Sequence, residues 1–179
     1  MPLTVYTVGE VLTASSLNAN FTFAAANPAS KIVQVVSTSL TSTFSTSATS
    51  YTDITGLSVS ITPTLNTSKI MVWVNFMASV SADIAVMFQL VRGSTAINIG
   101  DTAGSRTRAS GSLLSSDVAG TQPQNWQFLD SPATTSATTY KVQMFVNSGT
   151  GFIGRTGVDN DAATRPRTAS NITVMEVLV

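Results

Sequence analysis

From residue 31 to residue 179 the apolar residues of this chain recur at every second position, in short runs separated by Ser, Thr, Gly, Asn and Pro. Side chains alternate between two faces along an extended strand, so a period of two marks β-structure, whereas a helix needs apolar spacings of three and four. The runs fall at 31–37, 57–62, 69–80, 84–91, 96–99, 124–129, 140–147, 151–155 and 171–179, with a weaker one at 113–118. No segment between them is long enough, at helical period, for the crossover helix that joins parallel strands. Nine or ten short strands with close turns predict an all-β chain, a jelly-roll-like antiparallel β-sandwich spanning residues 31–179.

Two of these runs are apolar on both faces. Ile70, Val72, Val74, Phe76, Ala78 and Val80 share one face of the 69–80 run, while Met71, Trp73 and Met77 sit with Asn75 and Ser79 on the other. The next run sets Ile84, Val86, Phe88 and Leu90 against Ala85, Met87 and Val91. A sandwich strand ordinarily keeps one wet face. Such strands are either central and covered on both sides, or the second face meets another subunit, because large apolar faces are rare on monomers. Met71, Trp73, Met77 and Met87 are accordingly the candidate subunit-interface residues. The final run alternates Ile172, Val174 and Leu178 with Met175, Val177 and Val179, and it carries Glu176 on the first of those faces. If that face is buried, the carboxylate needs a partner.

Composition narrows the chemistry. Charged residues are 10% of the chain, Ser and Thr exceed a quarter, and the formal net charge is zero. There is no basic excess to offset a phosphate backbone, which argues against a nucleic-acid partner. The absence of histidine and cysteine removes the commonest general base, the commonest zinc ligand and any disulfide. No apolar run approaches membrane-spanning length, so membrane insertion is not expected. Met1-Pro2-Leu3-Thr4 has none of the basic and apolar character of a signal peptide, and cytoplasmic assembly is expected.

Residues 1–30 follow a different pattern. Thr13 can cap a helix beginning at Ala14, with Leu12 before the cap and Leu17 at the fourth helical position, the spacing of a hydrophobic staple. Leu17, Phe21 and Ala24 or Ala25 then form one apolar stripe, Leu12, Leu17 and Phe21 are the candidate docking residues, and Asn27-Pro28 ends the segment. A helix this short is marginal alone in water, so the stripe needs a surface. Two readings stand open: the helix packs on its own domain, or it docks on another protein as an anchor.

Several motifs resemble chemical sites and fail on context. Gly149-Thr150-Gly151-Phe152-Ile153-Gly154 has dinucleotide spacing but no following helix, and reads as a hairpin connection. Asp159-Asn160-Asp161 offers oxygens without the further acidic ligands of a calcium loop, and reads as a turn. Arg106, Arg108, Arg165 and Arg167 form two small basic pairs, better read as solvated loop charge than as an anion site. Trp73, Trp126, Tyr51 and Tyr140 could stack on sugar rings, although Trp73 and Tyr140 fall in strand patterns and read as core. Serine has no histidine to activate it, and the carboxylates are scattered apart from Asp159 and Asp161. No catalytic residue, metal site or cofactor is expected, and the chain is not expected to be an enzyme.

Two stretches carry a resemblance. Residues 6–21, YTVGEVLTASSLNANF, have an aromatic, then Gly9-Glu10-Val11-Leu12-Thr13-Ala14, then Leu17-Asn18 and Phe21. This is similar to a segment near the N-terminus of many tailed-bacteriophage fibre and appendage proteins. Residues 128–142, FLDSPATTSATTYKV, together with the ending Ser170-Asn171-Ile172-Thr173-Val174-Met175-Glu176, resemble the C-terminal β-domain of phage and cyanophage structural proteins. The resemblance implies a virion protein with a particle-binding segment at 1–30 and a jelly-roll head at 31–179, usually a homotrimer. It implies other virion proteins as partners, with a host surface glycan as a further candidate. A short tail fibre or tail-associated appendage fits the anchor-like segment, and a capsid decoration or head-fibre protein fits the small, neutral, hydroxyl-rich chain.

Overall fold

The computed structural model describes residues 13–15, 17, 18 and 31–179. The chain divides into two units, residues 1–31 and 32–179. In the first, Ala14, Ser15, Leu17 and Asn18 are helical, and the Leu17 amide donates to the Thr13 carbonyl at 3.0 Å. Leu12 and Phe21, the other expected docking residues, lie outside the described residues, as does most of the expected helix.

The second unit consists of eleven strands. They are β1 (Ile32–Leu40), β2 (Phe44–Thr46), β3 (Thr52–Ile61), β4 (Lys69–Val80), β5 (Ile84–Arg92), β6 (Thr95–Ile97), β7 (Gly111–Ser115), β8 (Gln122–Asp130), β9 (Thr138–Val146), β10 (Gly151–Ile153) and β11 (Ser170–Val177). All pairings are antiparallel. Sheet A runs β1-β11-β4-β8, with β2 and β10 continuing the lines of β1 and β11. Sheet B runs β3-β9-β5, with β6 and β7 end to end along the outer edge of β5.

The division into short strands hides a simpler layout. β10 pairs with residues 78–80 of β4 and β11 with residues 69–75, on the same side of it, so together they occupy one strand position that the chain leaves between residues 154 and 169. Likewise β6 pairs with residues 90–92 of β5 and β7 with 84–88, interrupted by residues 98–110. Each sheet is therefore four strand positions wide. First pairs with last (β1 with β11), β3 with β9, β4 with β8, and β5 with β6 and β7. The chain is thus one long antiparallel hairpin, folded so that successive strand pairs lie alternately in the two sheets.

Hydrophobic burial between the sheets holds this arrangement. The expected inner face of β4, from Ile70 through Val80, is buried at every alternate residue, as are Ile84, Val86, Phe88 and Leu90 of β5. Phe76 meets Phe88 across the sandwich edge to face, with centroids 4.9 Å apart, and Trp126 of β8 stands edge-on to Phe76 at 5.4 Å. The geometry is the one that opposing ring quadrupoles favour.

Three expectations need correction. The 149–154 segment is not a hairpin, since β9 belongs to sheet B and β10 to sheet A, and the connection crosses between them. Gly149 permits the crossing with a φ of 62°, where a side chain would be strained. Trp73 is not core: its register places it on the outer face of sheet A, where it is 49% exposed. β2 was not foreseen, because Phe44 stands alone among Ser and Thr and gives no alternation to read.

Candidate functional site

The outer face of sheet A is the most distinctive surface. Cα register sets its side chains in rows that cross all four strands. One row reads Val35, Met175, Met71, Leu129, apolar throughout, with Val35 58% and Leu129 44% exposed. The next reads Ser37, Thr173, Trp73, Gln127, and the one after it Ser39, Asn171, Asn75, Asn125. Over these three rows the face passes from apolar to polar, with Trp73 at the boundary, and Met77 and Pro123 lie beyond the Asn75 row.

Trp73, Asn75, Asn125, Gln127, Asn171 and Thr173 surround an open groove of about 520 Å³, whose floor includes Val74 and Trp126. None of these residues ionises. The amides are tied laterally: Asn75 Nδ2 donates to Asn125 Oδ1 at 2.5 Å, and the Ser39 hydroxyl donates to Asn171 Oδ1 at 2.6 Å. The hydroxyls of Ser37 and Thr173 share a 2.8 Å hydrogen bond. Each amide so engaged keeps further donor or acceptor capacity, since a primary amide offers two N–H bonds and two lone pairs.

Of the four expected interface residues, Met71, Trp73 and Met77 share this face, while Met87 lies on the outer face of sheet B. There Met87 lines a second hollow, roofed by residues 100–110, and the four do not form one surface. Leu17, the described docking residue, is 40% exposed. The groove amides escaped sequence reading because Asn75, Asn125 and Asn171 meet only through strand register, which no local pattern encodes.

The remaining titratable clusters serve the fold. Glu176 is fully buried, and its Oε1 accepts from the Thr64 amide, the Thr64 hydroxyl and the Ser68 hydroxyl, each at 2.7 Å. Burial alone would raise this carboxyl, but those donors and the Leu65 amide hold it below its ordinary range. The partner it required is thus the 62–68 turn. Asp159 is clasped by Arg155 at 2.9 Å and by Arg167, and the Arg167 hydrogen bond leads in holding its carboxyl low. Its oxygens are committed to guanidinium groups, which is the wrong setting for a cation. Arg106 and Arg108 bond the carbonyls of Ala103 and Gly100 and so brace their own loop, while Arg165 bonds Asn160 and the Ala119 carbonyl and so ties its loop to the connection between β7 and β8.

Among the described residues no three His, Cys, Asp or Glu side chains are grouped to hold a metal ion, and no helix is long and apolar enough to cross a membrane. No protein-family model matches the chain, and no curated protein matches it either.

Proposed function

We propose that this chain is a structural protein of a tailed-bacteriophage particle, a homotrimeric jelly-roll appendage of the short tail-fibre type. It docks through residues 1–30 and carries out no catalysis. The observation that carries the assembly part is the apolar row Val35, Met175, Met71 and Leu129, which crosses the whole outer face of sheet A. Covering such a row with further copies of the chain removes apolar area from water, and a C3 arrangement closes the contact.

The jelly-roll reading is supported by the folded-hairpin pairing. With β1 and β2, β6 and β7, and β10 and β11 each counted as one strand, the first pairs with the eighth, the second with the seventh, the third with the sixth and the fourth with the fifth. That is the connectivity of two wound Greek keys. The particle reading rests on the resemblance of residues 6–21, 128–142 and 170–176 to phage virion proteins. The commitment of Asp159 and Glu176 to structural bonds is in keeping with a protein that does no chemistry.

The neutral, hydroxyl-rich surface also favours a second reading, a trimeric decoration or head-fibre protein that stabilises the capsid shell. Immunogold electron microscopy of intact particles separates the two. Gold at the tail is expected; gold over the head selects the decoration reading, and unlabelled particles overturn both.

A further inference from the structure

The polar half of the sheet A face has a chemistry that its apolar half lacks. Trp73 presents a half-exposed indole, flanked directly in register by Thr173 on one side and Gln127 on the other. One strand step away stand Asn171, Asn75 and Asn125 in a line. From these observations we infer that the groove is a binding site for a neutral saccharide.

Each part of such a ligand has a counterpart. A pyranose ring has an apolar face of C–H bonds, which stacks on the electron-rich face of an indole. Its hydroxyls both donate and accept hydrogen bonds at the ring edge. Side-chain amides also do both, so a row of Asn and Gln matches a hydroxyl array without fixing which group donates. The Gln127 amide makes no hydrogen bond to another described side chain and is available to a ligand. The groove volume of about 520 Å³ falls within the range of small-ligand sites and suits a short oligosaccharide. Because no lining residue is charged, an acidic sugar or a phosphate finds nothing to offset its charge there.

The rival occupant is a second copy of the chain. The rows centred on Trp73 and Asn75 carry seven polar side chains, and although six of them pair laterally, burying them against protein would still demand partners for Gln127 and for the amide donors and acceptors left over at Asn75, Asn125 and Asn171. The Met71 row makes no such demand. The boundary between the two rows therefore divides subunit contact from ligand groove. The inference rests on the groove itself and not on the particle reading, so either can fail alone.

The test is isothermal calorimetry of the intact chain with a panel of neutral glucose, mannose, galactose and N-acetylglucosamine oligomers, alongside light scattering of every variant. Saturable binding of at least one oligomer is expected. Trp73→Ala should weaken it about tenfold, and Gln127→Ala should weaken it less. Leu114→Ser, at an exposed position of sheet B, should leave it unchanged. The inference is overturned if no member binds at millimolar concentration, or if Trp73→Ala binds as tightly as the parent chain. It is also overturned if Trp73→Ala abolishes self-association, which would make the indole a subunit contact. A monomeric chain that binds an oligomer keeps the inference and removes the trimer.

Discussion

The phenol of Tyr140 donates a 2.6 Å hydrogen bond to Oδ2 of Asp130, and this bond joins the two sheets. Asp130 ends β8 in sheet A, and Tyr140 lies in β9 of sheet B. Arg92, at the end of β5, approaches both carboxylate oxygens of Asp130, at 2.8 and 2.9 Å. A nearly buried carboxylate thereby gains a cation and a phenol. The seven residues between the two strands carry the chain across the sandwich edge.

Removing the phenol should weaken the tie without breaking it, because Asp130 keeps Arg92. Tyr140→Phe is expected to cost about 1–2 kcal/mol in urea unfolding. Asp130→Ala leaves the phenol without its acceptor and the guanidinium with only the Ser131 carbonyl at 3.4 Å, and is expected to cost about 3–5 kcal/mol. Burial, then the Asp130 hydrogen bond, raises the Tyr140 phenol above its ordinary 10.0. Its contribution is therefore complete below pH 10.0 and lost as pH rises above it. Alkaline unfolding followed by tyrosinate absorbance should show this phenol ionising only as the chain unfolds.

Glu176 predicts the opposite limb of the pH curve. Its folded-state pKa lies below the ordinary 4.5, so its contribution is present above pH 4.5 and fades as pH falls through the folded value. Glu176→Ala, which strands the donors of Thr64 and Ser68, should cost about 2–3 kcal/mol at neutral pH. The variant should also lose less of its remaining stability on acidification than the parent chain, as read from thermal unfolding at successive pH values.

The core prediction concerns the aromatic contact across the sheets. Phe76→Ala removes the ring that meets both Phe88 and Trp126, and should cost about 3–5 kcal/mol. Fluorescence of Trp126 should shift to the red as water gains access, a change that a purely surface effect would not give.

For assembly, Met71→Lys places a charge in the middle of the apolar row. The lysine has room on a solvent-facing strand, so unfolding should change by less than about 1 kcal/mol. The variant should nevertheless elute as a smaller species than the parent chain. An unchanged assembly would move the subunit contact to another face.

Much of the sandwich was legible because burial on one face imposes alternation. The limits of β4 match the 69–80 run, and its inner face is the one read from the sequence. Short strands with one apolar residue, such as β2, carry no period and were missed. The loop residues 154–169 and 98–110 interrupt single strand positions, and the local pattern cannot tell an interrupted strand from two separate ones. Trp73 was misplaced for a related reason: alternation reports that a residue shares a face with Met71 and Met77, but not whether anything covers that face. Glu176 was seen to need a partner, while Thr64 and Ser68 could be found only through the fold of the 62–68 turn. The Asn row of the groove depends wholly on register among three distant strands.

The solution mass of the intact chain, measured by multi-angle light scattering at micromolar concentration, decides whether the Met71 row is a subunit contact. Three times the 18.7 kDa chain mass is the predicted result, with the Met71 row buried between copies. A mass of 18.7 kDa, unchanged on raising the concentration, would contradict it and leave the sheet A face without the partner that its apolar row implies.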